Sequence, residues 1–322
     1  MTILVTGGAG YIGSHTVRAL VAQGRDVVVL DSLELGHKSR VDNVPFVQGD
    51  ISDGKIIDKV CRKFDVSEVI HFAAYKAVGE SMEQPLRYYN NNVAGTIALV
   101  RALMANGVEK IVFSSSAAVY GNPDHVPVTE DAPLRPESVY AETKAMVEKF
   151  LASCETIGLR SVSLRYFNAA GASADAAIGE DWSMSQNLVP LVMKALLGFS
   201  GPLNVFGNDY QTPDGTCTRD YIHVEDLAAA HIKALDYLNG GGKSLACNVG
   251  TGIATSVLEV ISIAEQVSGQ KVPHIISSRR AGDPVSVFAD PTLVRALLGW
   301  KANHDLRDII GSAWKWHSSS AK

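Results

Sequence analysis

A chain of 322 residues, 46% of them hydrophobic, with a mean hydropathy of +0.08, holds enough apolar material for a large core and about two domains. It has no run of about 18 apolar residues, so no membrane-spanning helix is expected. A formal charge of −5 and a pI of about 6.0 argue against a nucleic-acid partner.

The first β run, Thr2–Thr6, enters glycines at once. That start leaves no room for the basic and apolar regions of a secretory leader, and a cytoplasmic protein is expected. Cys61, Cys154, Cys217 and Cys247 form no CxxC pair and have no metal-ligand spacing with histidine. Free thiols in a reducing compartment, and no metal, are the expectation. Helical spacing over Ser14–Gln23 stops at Gly24. Further β runs follow at Asp26–Leu30, Val44–Gln48, Glu68–Phe72, Lys110–Ser114 and Ser161–Tyr166, with helical patterns at Asn92–Ala105 and Tyr140–Ile157. Strands that are apolar throughout and separated by helices predict a parallel sheet covered on both faces. The fold class is therefore α/β, a Rossmann-type doubly wound parallel sheet, over residues 1–170.

Beyond residue 170 the alternation loosens. Ala172–Gln186 reads as irregular, and Pro202–Thr218 is rich in Gly, Pro, Asn and Asp. Helical patterns return at Val224–Leu238 and Thr255–Ser268. A smaller C-terminal α/β substrate domain is expected over 171–322, with segments near 220–250 returning to the first domain. Ala246–Val249 is the candidate returning strand.

Gly7, Gly10 and Gly13 lie between the first strand and the first helix, the context in which such spacing points to a dinucleotide. Glycine allows the tight turn and a close approach of the pyrophosphate, and the helix N-terminus offers free N–H groups. Asp31 ends the second β run, where a carboxylate can accept bonds from the adenosine ribose hydroxyls and would repel a 2′-phosphate. NAD rather than NADP is the predicted cofactor. Asp50, closing the third run beside Ile51, could hold the adenine amino group or act as a simple turn residue.

Tyr140 and Lys144 are spaced i, i+4, on one helical face. Alone the pair is common. Ser116, however, follows the fifth strand, and ligands bind at the carboxyl ends of strands in such sheets. A phenol has a reference pKa of about 10. A neighbouring ammonium and a positive nicotinamide ring would lower it. Tyr140 could then take a proton from a sugar hydroxyl while hydride leaves the same carbon.

At these residues the chain resembles the extended short-chain dehydrogenase/reductase family, and within it the UDP-hexose 4-epimerases. The stretches that carry the resemblance are TGGAGYIGSH (Thr6–His15), HFAAYKAVGES (His71–Ser81), YYNNNVAGT (Tyr88–Thr96), FSSSAAVYG (Phe113–Gly121), LRYFNAAGA (Leu164–Ala172), FGNDY (Phe206–Tyr210), DGTCTRDYIHVEDLA (Asp214–Ala228) and RRAGDP (Arg279–Pro284). The last three would not follow from a nucleotide-binding fold alone.

The resemblance implies an NAD-dependent 4-epimerase that interconverts UDP-glucose and UDP-galactose through a transient 4-keto sugar. Its cofactor would be tightly bound and regenerated in each turnover. NAD would also touch Tyr11, Ile12, Ile51, Phe72, Ala73, Ala74, Lys76, Asn91, Ser114, Tyr140, Lys144 and Phe167. The sugar nucleotide would touch Lys76, Ser116, Tyr140, Asn168, Asn187 and Leu188. Asn204, Val205 and Phe206 would flank the uracil, and Arg219, Arg280 and Asp283 would hold the diphosphate and ribose. A homodimer through Asn92–Ala105 and Tyr140–Ile157 is also implied.

Relatives that eliminate water carry an acidic pair directly after the hydroxyl residue. Here Ser116 is followed by Ala117 and Ala118, which transfer no protons. The Glu that related decarboxylases keep near this place is missing too. Val287 stands where related enzymes for plain hexoses carry tyrosine, so a roomier pocket that also accepts UDP-GlcNAc and UDP-GalNAc is expected. A UDP-xylose/UDP-arabinose epimerase and a non-catalytic NAD-sensing protein remain open alternatives at this level. Ser32–His37 departs from the polar stretch of the family, so no individual contacts are assigned there.

Overall fold

The computed structural model describes residues 1–183, 185–280 and 282–320. Met184 of the irregular stretch, Ala281 of the RRAGDP motif, Ala321 and Lys322 lie outside them. In chain order, β1 (Thr2–Thr6), α1 (Tyr11–Ala22), β2 (Asp26–Asp31), β3 (Phe46–Gln48), α2 (Gly54–Phe64) and β4 (Val66–His71) come first. The short helices α3 (Val78–Glu83) and α4 (Pro85–Tyr88) lead through a π-helical stretch, Tyr89–Ala94, into α5 (Gly95–Ala105), then β5 (Lys110–Ser114), α6 (Val139–Ser153) and β6 (Arg160–Tyr166). After them come β7 (Asn168–Ala170), α7 (Leu188–Leu196), β8 (Leu203–Phe206), β9 (Thr218–Arg219), β10 (Tyr221–His223), α8 (Val224–Asn239) and β11 (Leu245–Val249). The chain closes with β12 (Thr255–Ser256), α9 (Val257–Ser268), β13 (His274–Ser277), β14 (Ser286–Val287), α10 (Thr292–Leu298) and α11 (Leu306–Ser320).

Seven strands pair in the order β11-β6-β5-β4-β1-β2-β3, every neighbour parallel. Successive side chains of a strand face opposite sides, and here both sides are apolar. Ile3, Val5, Val27, Val29, Ile70 and Val112 join a core with residues of α1 and α8. Leu4, Val28, Leu30, Val69, Ile111 and Phe113 join another with residues of α2, α5 and α6. The predicted doubly wound sheet is present. β11 lies at its edge beside β6.

Element limits differ from the sequence pattern for local reasons. Gly10 takes the N-cap position of α1, so the helix starts at Tyr11. Ser138 caps α6 by accepting from Ala141 N, and the helix ends at Ser153, with a 3₁₀ turn continuing to Ile157. The helix read as Asn92–Ala105 begins inside the π stretch Tyr89–Ala94, and its α-helical part starts at Gly95. Thr255–Ser256 pairs with β9 as a short strand, and Ser256 with Glu259 forms a capping box that starts α9 two residues later than expected. Leu203 and Val205, alternating inward, make a strand within Pro202–Thr218.

A second core, built on Val189, Val192, Met193, Val205, Tyr221, Ile261 and Ile310, joins α7, β8, β10, α9 and α11. From β7 the chain folds back over α1. The Tyr11 hydroxyl donates to the Gly171 carbonyl at 2.6 Å. Arg18 pairs with Asp175, and His37 lies 3.1 Å from Asp181. Among the described residues no helix is long and apolar enough to cross a membrane.

Candidate active site

The strand order reverses between β1 and β4, because β2 and β3 lie on one side of β1 and β4, β5 and β6 on the other. Ligands of open α/β sheets bind at the carboxyl ends of strands at such a switch point. The glycine turn leaves β1 there, and Phe72 to Lys76 leaves β4. Gly7 has φ +69°, and a Cβ on it would stand 2.6 Å from Ala73 N, so only glycine fits between the two strand ends. A Cβ on Gly13 would meet Gly7 O at 2.3 Å. Gly10 caps α1 without a side chain, leaving the first N–H groups of the helix, Tyr11 and Ile12 among them, aimed at the cleft. Asp31 accepts from Ala9 N at 2.9 Å and from Leu33 N at 2.8 Å. These features fit a dinucleotide laid across the switch point.

The other predicted cofactor residues are placed less uniformly. Phe72 packs on His231, ring centroids 4.5 Å apart. Asn92 fixes the loop after β4, accepting from Tyr75 N at 2.9 Å and donating to Tyr75 O at 3.1 Å and Thr143 Oγ1 at 3.0 Å. Asn91 beside it donates to Asn92 at 2.9 Å. Asp50 sits beyond β3 and closes its own turn, accepting from Ser52 N at 2.7 Å. Ile51 is buried in the core under the sheet.

Tyr140, Lys144 and Ser116 converge at the ends of β5 and β6. The Lys144 ammonium donates to the Ser114 carbonyl at 2.7 Å and lies 5.8 Å from the Tyr140 ring centroid. Ser114 donates to the Tyr166 hydroxyl at 3.2 Å. Burial pulls Lys144 down from 10.5 to about 7, against the opposing charge of Glu148.

At Tyr140 the protein's own groups act opposite to the pKa lowering expected beside a positive nicotinamide ring. Burial, with Tyr166 and Tyr88 nearby, raises its pKa well above 10, and the hydrogen bond with Ser116 only partly offsets this. The i, i+4 spacing places lysine near the ring but does not set depth. Here desolvation of the phenolate is the dominant cause. Ser116 also caps the turn that follows it, accepting from Ala118 N at 3.1 Å. Phe167, Ala117 and Val287 share one buried cluster behind this site.

The residues expected at the nucleotide end also gather. Val287 pairs with Arg219 in register. Arg219 donates to Thr218 O and Pro284 O at 2.8 and 2.9 Å and lies 3.7 Å from Asp283. Arg280 lies 3.9 Å from Asp283 and stacks over Phe206 at 4.4 Å. Asn204 faces the neighbouring strand β13, accepting from Ser277 Oγ at 3.1 Å, while Val205 points into the core. Asn168 donates to Asp220 O at 3.2 Å. Leu188 opens α7 and packs on the second core.

Sequence reasoning missed two acids. Glu180, 4% exposed, receives bonds on Oε1 from Lys76 at 3.3 Å, Ser185 at 2.8 Å and Asn187 at 3.1 Å. It thereby joins a residue expected at both ligands to one expected at the sugar nucleotide. Glu148 pairs with Arg165 inside the core; an arginine near the end of a strand expected to be covered on both faces was the available signal. His223, Glu225 and His304 cluster as well. Both ring nitrogens of His223 are used, however, by Glu225 N at 3.1 Å and Ser312 Oγ at 3.0 Å, as in a satisfied core histidine.

Residues 3–250 match the NAD dependent epimerase/dehydratase family. A UDP-glucose 4-epimerase of Lactobacillus helveticus is 48% identical over 325 residues, covering 100% of this chain and 98% of that protein. The crystal structure of UDP-glucose-4-epimerase from Stenotrophomonas maltophila, with bound NAD and formylated UDP-arabinopyranose, matches with TM-score 0.98 at 44% identity, covering 100% and 99% of the two chains. The structure of the UDP-Glc/GlcNAc 4-epimerase from Campylobacter jejuni matches with TM-score 0.88 at 38% identity, covering 99% of each. The likeness runs the whole length of the chain, through the nucleotide end as well as the sheet, and so this chain belongs to the NAD dependent epimerase/dehydratase family.

Proposed function

We propose that this protein is an NAD-dependent UDP-glucose 4-epimerase, an isomerase that interconverts UDP-glucose and UDP-galactose. The observation that carries the reading is the convergence of Tyr140, Lys144 and Ser116 at the switch-point cleft, with alanines at 117 and 118. That set moves one proton at a sugar oxygen and offers nothing for elimination.

Gly7, Gly10, Gly13 and Asp31 would hold NAD, which would supply the hydride acceptor and donor and, when oxidised, positive charge. Tyr140 takes the 4-hydroxyl proton and returns it. Kept protonated by burial, it is ready as the donor; as the acceptor it depends on positive charge, to which Lys144 contributes. Ser116 orients the same oxygen. Gly7, Gly10, Tyr11, Ile12, Gly13, Asp31, Phe72, Ala73, Ala74, Lys76, Asn91 and Phe167 are assigned to the cofactor, with Asp50 and Ile51 at its adenine end. Asn168, Asn187 and Leu188 are assigned to the sugar nucleotide. Asn204, Val205, Phe206, Arg219, Arg280 and Asp283 are assigned to its UDP end, where guanidinium groups suit phosphate oxygens.

Residues 1–170, with 220–250, form the cofactor-binding part in this reading, and the remainder the substrate part. The working form is a cytoplasmic homodimer. A second reading concerns the sugar: Val287, small and packed with Ala117 and Phe167, leaves room for an N-acetyl group.

The test is incubation of purified protein with UDP-glucose or UDP-galactose and no added NAD, with the sugars identified by NMR. Conversion in both directions is expected. Absence of conversion in a sample that carries NAD would overturn the assignment.

A further inference from the structure

Four residues beyond Lys144, Glu148 faces the same side of α6 and takes no part in the proton path. Its side chain is 7% exposed. Arg165 Nε donates to its two oxygens at 3.1 and 3.0 Å, and Nη2 donates to Oε2 at 2.7 Å. The Ser115 hydroxyl donates to Oε1. Arg165 also donates to the Tyr120 hydroxyl at 2.9 Å, and Tyr120 donates to Asn248 at 2.7 Å. One carboxylate thus ties α6 to the residue before Ser116 and to β6, and, through Arg165 and Tyr120, to β11.

Stability does not explain this placement. Taking two charges out of water costs several kcal/mol each, and buried pairs are often replaced by apolar residues without loss. A pair kept for stability alone could sit anywhere in the core. This one sits one helical turn from Lys144 and one residue from Ser116.

The titratable groups around Lys144 and Glu148, among the described residues, are Tyr140 on α6, His71 from β4, Tyr120 after β5, Arg165 and Tyr166 from β6, His231 from α8 and Cys247 from β11. Burial, helped by Lys144, pushes His71 to about 3 and leaves it neutral. Burial takes His231 to about 4 despite its bond to Leu227. Burial raises the phenols and the Cys247 thiol. Two acids face this group: Glu130, whose carboxyl burial raises and whose Oε1 accepts from Asn248 N at 2.8 Å, and Glu148, the one carried on α6.

We propose that Glu148 is a positioning residue of the epimerase. Its carboxylate locks the α6 face carrying Tyr140 and Lys144 to the segment after β5 that carries Ser116, through Ser115 and Arg165. The inference rests on the epimerase reading above.

Glu148→Gln keeps the shape and removes the charge. The double variant Glu148→Leu/Arg165→Met removes both charges and fills the space, so it can fold even where the single variant cannot. The assay is UDP-galactose conversion by the holoenzyme across pH. In both variants kcat falls about 10- to 100-fold, while KM stays within about twofold. In Glu148→Gln the loss of the negative charge, with Arg165 left in place, moves the alkaline limb of kcat down by about one pH unit.

A double variant that melts like wild type and recovers its kcat and pH profile would make the pair a stabilising element only and overturn the inference. So would a folded Glu148→Gln protein with the wild-type alkaline limb. Failure of wild type to convert any UDP-sugar would instead refute the epimerase reading.

Discussion

Gly13→Ala sets two effects of opposite sign against each other. Gly13 is the third residue of α1, and alanine is the better helix former by about 1 kcal/mol. Propensity alone therefore predicts a more stable protein. The new Cβ, however, would stand 2.3 Å from Gly7 O, 2.9 Å from Gly8 Cα and 3.0 Å from Gly7 C. All three atoms are backbone, and none can swing aside. Ordinary contact needs about 3.5 Å, so α1 has to retreat from the turn by roughly 1 Å. Overpacking of this kind costs about 1–3 kcal/mol, and the fixed turn places this case near the upper end. The expected net loss is about 2 kcal/mol, which lowers Tm by roughly 3 °C. The helix N-terminus moves with it, so the purified variant retains much less NAD. Thermal melting and NAD released per chain on denaturation measure both effects. An unchanged or higher Tm with full NAD content would refute the argument.

Tyr140→Phe lowers kcat by about 10²- to 10⁴-fold with little change in Tm. The backbone bonds at this position, Tyr140 N to Ser81 Oγ and Thr143 Oγ1 to Tyr140 O, do not involve the phenol. Turnover within a few-fold of wild type would remove tyrosine from the proton path. Val287→Tyr abolishes conversion of UDP-GlcNAc and spares that of UDP-glucose; a wild type inactive on UDP-GlcNAc ends the roomy-pocket reading. Burial lowers His71 to about 3 and His15 and His231 to about 4. Their neutral forms favour the fold, so that stability is present above about pH 6.5 and lost as pH falls toward 4. Urea midpoints at pH 7.5 and pH 5 should differ, the lower pH being less stable. Equal midpoints would mean these imidazoles are protonated in the fold.

The legible parts of the site are those whose geometry is local. Gly7 to Gly13 lies within one turn and one helix start, and Tyr140 with Lys144 within one helical turn. Both readings needed only the helical period and the carboxyl-end rule. Depth was not legible. The same i, i+4 spacing describes a surface pair, and nothing in it tells that burial takes Lys144 to about 7 and sends the phenol the other way. The partners of Glu148 and Glu180 depend on how strands and loops register across the molecule, which a single sequence does not encode in any short window. The π stretch at Tyr89–Ala94 was hidden too, because its apolar spacing continues smoothly into α5.

Tyr11 and Gly171, joined by one hydrogen bond, are 160 residues apart in the chain. Lys76 and Glu180 are 104 apart. The dinucleotide turn is thus completed only by contacts with residues far along the chain. Closing so long a loop comes late in folding, because its entropy must be overcome before the contact can form. A nascent first half can shape the glycine turn but cannot cover it. The second half of the chain therefore supplies the cover that the glycine turn alone lacks.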